Sequence, residues 1–208
     1  MEDPGGNDVA VRVIRASSEE EMVAVFLRGE FLSSRFSDTV RAALARTGSE
    51  EALILHPDLA SERENALRRE ILGAARGFGR GEGLFAGFPD DVRWERAALS
   101  AADVLAIRYI AYDYWVELSG GSRRPLDAAK RIRAGVTVFG VPNDDFLVGV
   151  EEVATAPPLI VVGGDDDGRV VLEGHVRLTT FALAPERLPT ELEVLHGRSP
   201  RIGEWALW

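Results

Sequence analysis

Two short β-branched runs lie on either side of a glycine- and aspartate-rich turn near the end of the sequence. They are predicted as strands over 158–162 and 169–172, because β-branched residues favour strands and the DDDG segment at 165–168 favours a hairpin turn. The second run ends at Gly174, and the pattern that follows predicts a helix over 174–184. A hairpin that leads directly into a helix limits this part of the chain to a compact α+β unit.

The rest of the sequence changes character at Gly135. Helical periodicity predominates before it, with predicted helices that start at Ser17 or cover 37–46, 61–79, 100–118 and 125–133, after a short strand over 9–14. After it, the sequence predicts further strands over 136–140 and 191–197 and a helix over 144–154. The predicted fold class is therefore α+β: mainly helical residues 1–135 pack on a small α+β unit of residues 136–208, as two units or as one compact domain.

Charge and composition restrict the classes of function. The net charge of −10 over 208 residues disfavours nucleic acid as a partner, because nucleic-acid binders present basic surfaces. The absence of cysteine excludes disulfides, thiolate metal sites and cysteine nucleophiles. The sequence has no secretory signal and no apolar run of about 18 residues, so we expect a cytoplasmic protein without a membrane span.

The corner between the second strand and its helix carries Glu173, Gly174, His175 and Arg177. A helix N-terminus attracts anions through its free N–H groups and its dipole, and a glycine lets the backbone approach a phosphate closely. The dipole disfavours an arginine in the first turn, so Arg177 is easier to explain if it meets an anion. The corner is either a plain turn with a solvated arginine or a cradle for an anion.

The stretch PPLIVV…RVVLEGHVRLTTFAL resembles the ParB/sulfiredoxin superfamily, over roughly residues 136–208. In that family a strand ends in a Gly-His/Glu/Cys-x-Arg box, which opens a helix over the phosphates of a nucleotide. The motif is closest to Asp-Gly-His-His-Arg of the free-serine-kinase branch: Glu173 stands for the aspartate, a valine replaces the second histidine, and Gly174, His175 and Arg177 match. The missing cysteine excludes the sulfinic acid reduction of the sulfiredoxins.

The resemblance also implies acidic groups near the nucleotide. In the segment PNDDF, Asp144 and Asp145 are predicted as a base or as ligands of Mg²⁺, while Asn143 or Asp144 could instead simply cap a helix. Glu173 and His175 complete the predicted catalytic set.

A local basic stretch at 120–135 carries five basic residues against one acid. Its Ser122, Arg123 and Arg124 either reach a phosphate or carboxylate, or form an ordinary helix start. The full predicted nucleotide-binding set is Gly174, His175, Arg177, Thr179, Ser122, Arg123 and Arg124.

Three further segments carry arginines, aromatic residues or an apolar tail. The arginines Arg68, Arg69, Arg76 and Arg80 precede or enter a glycine-rich loop. No strand precedes this loop and it lacks the Lys-Ser/Thr of a P-loop, so the segment is interpreted as a helix end and a loop. The aromatic residues of 109–115 are typical of a core, and one of them is a candidate floor for an adenine. The terminal GEWALW closes either the core or the interface of a homo-oligomer.

The expected function is that of a nucleotide-binding enzyme that uses ATP or ADP, with CTP as an alternative, together with Mg²⁺. It would be a phosphotransferase with a small polar acceptor such as an amino acid, or a nucleotide hydrolase. The alternative is a non-catalytic module that senses nucleotide or binds a partner. An acid within reach of the γ-phosphate separates the two, because an enzyme needs it and a sensor does not.

Overall fold

A five-stranded sheet organises the fold. The computed structural model describes residues 11–143, 146, 157–163 and 168–208. The strands are β1 (Arg12–Ala16), β2 (Arg93–Ser100), β3 (Leu159–Gly163), β4 (Arg169–Glu173) and β5 (Glu191–Arg198). They lie in the order β1–β2–β5–β3–β4, and every neighbouring pair is antiparallel except β3 with β5, which is parallel.

Helices accompany this sheet, which confirms the predicted α+β class. Within the described ranges they are α1 (Glu19–Leu32), α2 (Ser37–Thr47), α3 (Ala52–Leu55), α4 (Glu62–Arg76), α5 (Ala101–Ala106), α6 (Asp113–Leu118), α7 (Pro125–Arg133) and α8 (His175–Leu183). Helices α1 and α4 each begin after a serine whose hydroxyl accepts a hydrogen bond from the backbone three residues on. Both sequences carry glutamate at that third position, the pattern of a capping box.

The helices cover both faces of the sheet. Successive side chains of a strand point to opposite faces, so the side chains of Glu95 and Arg96 in β2 lie on opposite sides of the sheet. Arg96 donates to Glu21 of α1 at 2.7 Å, which places α1 on its side. On the other side, Arg169 of β4 lies 3.7 Å from Asp103 of α5.

A single cluster of buried apolar residues joins the two sides of the predicted boundary at residue 135. It contains Met22 of α1 and Ile71 of α4 as well as Val161 of β3 and Leu178 of α8. Helices α1 to α7 come from the predicted helical part, but so do β1 and β2. Strand β2 pairs with β5 from Arg93 opposite Arg198 to Ser100 opposite Glu191, so one sheet spans the boundary.

The predicted strands are partly confirmed. Strands β3, β4 and β5 lie where the sequence predicted them, and the first strand is found slightly later, at 12–16. The strand predicted over 136–140 is wrong, because this segment makes a tight turn in which the N–H of Val138 and the N–H of Val141 each donate to the other's carbonyl at 3.0 Å. Phe139 and Gly140 both have positive φ at its tip, which an extended strand does not allow.

The helix predicted over 100–118 is divided into α5 and α6. Between them the chain runs along the free edge of β4, where the N–H of Arg108 donates to Arg169 O at 2.8 Å and Val171 N donates to Arg108 O at 2.9 Å. These bonds to a strand edge replace helical bonds, and local periodicity does not reveal them. The helix predicted over 144–154 lies outside the described residues, apart from Phe146.

A fully buried arginine fixes the turn between α3 and α4. Arg68 of α4 is 0% exposed. Its guanidinium donates to Leu53 O at 3.1 Å, to Asp58 O at 2.8 Å and to Glu64 at 2.9 Å. Asn65 accepts a fourth bond from the same group. Arg68 therefore satisfies the backbone of the loop that leads into α4, and it is not available to a ligand.

The C-terminal tail packs on the core. Trp205 is 2% exposed, and its Nε1 donates to Leu84 O at 2.8 Å. Its ring meets Phe88 edge-on, with centroids 5.4 Å apart. Of the two roles predicted for this tail, closing the core is the one found.

Candidate functional site

The corner between β4 and α8 requires a glycine. Gly174 has φ of 100°, a left-handed conformation that other residues adopt only with strain. A Cβ at this position would lie 2.5 Å from Cδ2 of Leu159 and 3.0 Å from Nη2 of Arg177. The first hydrogen bond of the helix runs from Leu178 N to Gly174 O at 2.9 Å. The chain therefore turns sharply into α8 with the guanidinium of Arg177 folded back over the corner.

Arg177 forms an ion pair with Glu173 one helical turn away. Nη2 of Arg177 donates to the Glu173 carboxylate, and the side chains of Glu173 and Arg177 are 15% and 14% exposed. Burial raises the pKa of Glu173, and the charge of Arg177 opposes that rise. The other terminal nitrogen of Arg177, Nη1, is buried and has no hydrogen-bond partner among the described residues. The guanidinium thus holds Glu173 through one terminal nitrogen, and nothing in the described part of the chain binds the other.

His175 packs against a group of aromatic rings at the start of α8. Its imidazole lies parallel to the indole of Trp115, with centroids 5.1 Å apart and planes inclined by 17°. The same indole stacks on Tyr109 at 4.7 Å. Burial lowers the pKa of His175 from 6.5 to about 3, and the charges of Arg76 and Arg177 act in the same direction. His175 is therefore a neutral imidazole, and its buried Nε2 has no hydrogen-bond partner in the described part of the chain.

The neutral state of His175 has a direct spectroscopic consequence. We expect its C2–H resonance to show no titration between pH 5 and 8, because the pKa in the folded protein is about 3. The unfolded chain takes up the proton near 6.5, so His175 reduces the free energy of unfolding as the pH falls from about 6.5 toward 3. NMR spectra of the wild type and of His175→Asn identify the resonance. An inflection at pH 5–8 that disappears in the variant would contradict the buried, neutral assignment.

A second ion pair lies next to Glu173. Arg76, at the end of α4, donates through Nε and Nη2 to both carboxylate oxygens of Glu30, at 2.7–3.1 Å. Glu30 is 6% exposed, and burial raises its pKa while Arg76 opposes the rise. Its neighbour Gly29 lies against Glu173, since a Cβ at Gly29 would be 2.9 Å from Oε1 of Glu173. Glu30 from the end of α1 and Arg76 from the end of α4 thus lie next to the corner of α8.

Thr179 faces the core, behind the first turn of α8. It is 0% exposed, and its Oγ1 donates to His175 O at 2.8 Å. The hydroxyl of Tyr109 is 2.7 Å from the same Oγ1, and it acts as the donor because the threonine proton is already used. Thr179 was predicted to bind phosphate, but both hydrogen-bonding functions of its hydroxyl are engaged in the core.

The residues predicted from the basic stretch have other partners. Ser122 Oγ donates to Ser119 O and accepts from Arg124 N, both at 3.1 Å, which forms the turn before α7. Arg123 donates through Nε to Tyr109 O at 2.8 Å and through Nη1 to Trp208 O at 2.9 Å. Its guanidinium therefore fastens the C-terminal tail. Arg124 is exposed at the start of α7.

The predicted acidic pair, Asp144 and Asp145, lies outside the described residues. The residue before it is anchored near the site: Asn143 donates through Nδ2 to Val136 O at 2.8 Å and accepts at 2.6 Å from Tyr114. The ring of Tyr114 in turn meets Trp115 edge-on, with centroids 5.0 Å apart. Asn143 is therefore held, through Tyr114, beside the indole of Trp115 on which His175 stacks.

Over the described ranges, no group of three or more histidine, aspartate or glutamate side chains is placed so that it could hold a metal ion. No helix of that part of the chain has both the length and the apolar character needed to cross a bilayer.

A comparison with profiles of known protein families found no match, and comparisons with curated proteins and with solved structures found none either.

Proposed function

We propose that this protein binds ATP or ADP by the phosphates at the N-terminus of α8, and that it transfers or hydrolyses the terminal phosphoryl group. The observation that carries the proposal is the buried Nη1 of Arg177, which has no partner in the described part of the chain. Arg177 lies in the first turn of α8, where the helix dipole and the backbone N–H groups already favour a negative charge. A phosphate oxygen is the acceptor that satisfies both the guanidinium and the helix end.

Each residue of the corner has a role in this proposal. Gly174 lets the backbone approach the phosphate, and Arg177 binds a phosphate oxygen through Nη1. His175 contributes a neutral N–H donor, because its imidazole is not protonated in the working pH range. Glu173 acts as the base or as a metal ligand, and burial raises its pKa, which makes it a better proton acceptor than an exposed carboxylate.

Mg²⁺ is compatible with this set of residues. Mg²⁺ is commonly bound by one or two carboxylates together with substrate phosphates, and it neutralises charge on the transferred group. Glu173 supplies one such carboxylate, and Asp144 and Asp145 are proposed as the others. The resemblance to free-serine kinases favours a small polar acceptor such as an amino acid, and the proposed location is the cytoplasm. CTP is the alternative nucleotide.

A non-catalytic nucleotide sensor is the second candidate, and one observation favours it. Both glutamates at the corner, Glu173 and Glu30, are paired with arginines. A carboxylate that is held by an arginine is a weaker base, since the positive charge stabilises its ionised form. The release of phosphate from ATP by the purified protein separates the two candidates, because a sensor binds the nucleotide without turning it over.

The first experiment is a calorimetric titration with ATP, ADP and CTP, with and without Mg²⁺. We expect Arg177→Gln to weaken binding by about tenfold to a hundredfold, which is the range for a lost charge-assisted hydrogen bond. Arg46→Gln is the matched control, because Arg46 is an exposed arginine near the end of α2 and its loss also removes one positive charge.

The variants must be shown to fold, because Arg177 also holds Glu173. Circular dichroism and thermal unfolding test this, and Arg177→Lys gives a second variant that keeps the charge but loses the forked geometry. Nucleotide binding that is equal in the wild type, Arg177→Gln and Arg46→Gln would place the nucleotide elsewhere. A wild type that binds none of the three nucleotides would refute the proposal.

A further inference from the structure

Two arginines share one phenylalanine beside the corner of α8. The guanidinium carbon of Arg76 lies 3.6 Å from the centroid of the Phe36 ring, and that of Arg35 lies 5.1 Å from the same centroid. The two guanidinium groups are thus no farther apart than the sum of these distances. Phe36 immediately precedes α2, so the loop between α1 and α2 holds both cations in place.

A continuous series of contacts connects this pair of arginines to the proposed phosphate site. Arg76 is bound to Glu30, and the preceding residue Gly29 lies against Glu173, which in turn holds Arg177. The electrostatics agree with this geometry. After burial, the pKa of His175 is lowered by the charges of Arg76, Arg177 and Arg35. The charges of three arginines from three separate parts of the sequence therefore act on one imidazole.

These arginines retain unused hydrogen-bonding capacity. Arg76 engages Glu30 through Nε and Nη2, and within the described residues its Nη1 makes no hydrogen bond. Arg177 likewise uses Nη2 for Glu173 and leaves Nη1 unpaired. Arg35 is exposed, and across the described ranges its guanidinium has neither a hydrogen bond nor an ion pair.

The balance of charge favours a ligand with more than one anionic group. Three arginines face two glutamates, and the N-terminus of α8 adds further positive potential. A single phosphate on Arg177 and α8 would leave Arg76 with Glu30 alone, and Arg35 without any acidic ion-pair partner among the described residues. A chain of phosphates extends away from its first group and brings additional oxygens to Arg35 and Arg76.

We propose that Arg35 and Arg76, held on Phe36, form the subsite for a second phosphate, so that the ligand is a diphosphate or triphosphate and not a monophosphate. This inference rests on the proposed function, because it extends the phosphate site of α8. It assigns to the helical N-terminal part of the chain a direct share in ligand binding. Arg76 also neutralises the buried Glu30, so Arg35 is the residue whose loss tests the subsite without disturbing the core.

The test compares ligands with different numbers of phosphates on the full chain. Calorimetric titrations use ATP, ADP and AMP, and in parallel tripolyphosphate, pyrophosphate and orthophosphate. We expect the wild type to bind ATP and tripolyphosphate at least about tenfold more tightly than AMP and orthophosphate. We expect Arg35→Gln to remove about tenfold of the affinity for ATP and tripolyphosphate, and to leave the affinity for AMP unchanged.

Arg46→Gln is again the matched control, because Arg46 lies near the far end of α2, ten residues after Phe36, which is roughly 15 Å at the helical rise. Equal affinity of Arg35→Gln and the wild type for ATP overturns the subsite, and so does a wild type that binds AMP as tightly as ATP. If Arg177→Gln weakens ATP binding while Arg35→Gln does not, the proposed function stands without the subsite. If only the inorganic chains bind, and Arg35→Gln weakens them, the subsite stands and the nucleotide is wrong. If nothing binds, both fail.

Discussion

Replacement of Arg68 by methionine is expected to lower the free energy of unfolding by about 3–4 kcal/mol. Arg68 is fully buried and donates to the carbonyls of Leu53 and Asp58 and to the side chains of Glu64 and Asn65. Methionine fills a similar volume but has no donor, so the buried acceptors Leu53 O and Asn65 Oδ1 lose their partner where water has least access. The measurement is equilibrium unfolding in urea at neutral pH.

The next residue along α4 provides the control. Arg69 is 45% exposed and pairs with Glu19 and Glu20 of α1 on the surface. Arg69→Met removes the same charge and the same number of side-chain atoms, yet we expect it to cost no more than about 1 kcal/mol, as exposed ion pairs do. Similar losses in the two variants would show that the buried hydrogen bonds of Arg68 contribute little, and that the loss of charge alone accounts for the effect.

Substitution of Gly174 by alanine is expected to cost about 2–4 kcal/mol of stability and to abolish nucleotide binding. The backbone at this position has φ of 100°, which strains any residue with a Cβ. The added methyl group would also lie 2.5 Å from Leu159 and would press on the guanidinium of Arg177. The corner must then open, which moves Arg177 and the N-terminus of α8. Urea unfolding and titration with ATP measure the two effects separately.

Gly48 separates backbone strain from steric contact. It ends α2 with φ of 62°, and a Cβ there would have no neighbour within 4 Å. Gly48→Ala therefore tests the left-handed conformation alone, and we expect a loss of about 1 kcal/mol with unchanged ATP binding. Gly174→Ala with a loss as small as that of Gly48→Ala, or with intact ATP binding, would contradict a tightly packed corner.

The part of the fold that local sequence determines could be predicted. Strands β3 and β4 and helix α8 follow one another directly, and their β-branched runs, turn and glycine lie within about thirty residues. The same holds for the centre of the candidate site, since Glu173, Gly174 and Arg177 are brought together by a single helical turn. The spacing and the family resemblance identified these residues as a unit, but they did not predict that Glu173 itself would pair with Arg177.

The remaining strands depended on distant partners. Strand β2 carries Arg93, Glu95 and Arg96 among its apolar residues, and its pairing with β5 is what makes it a strand. Residues 136–140 have a typical strand composition, but the left-handed conformation of Phe139 and Gly140 turns the chain back. Propensity is a weak guide wherever tertiary contacts decide the outcome.

The surroundings of the corner could not be inferred from spacing either. Gly29 and Glu30 come from α1 and Arg76 from the end of α4, more than ninety residues before Glu173. Trp115 was assigned to a core helix, and nothing in the local pattern indicated that its indole would stack on His175. Conversely, Arg123 was predicted at the site from its local charge, whereas its guanidinium binds the carbonyl groups of the C-terminal tail.

The position of β5 affects how this protein can fold during synthesis. It is the last of the five strands along the chain, yet it lies in the middle of the sheet between β2 and β3. A nascent chain that has not yet reached residue 191 therefore leaves the edges of two central strands unpaired. Such edges are templates for aggregation, and the long loops that must close make the final pairing slow. Ribosome stalling or truncation before β5 should accordingly yield chains that need chaperones, even though every residue of the candidate site has already been made.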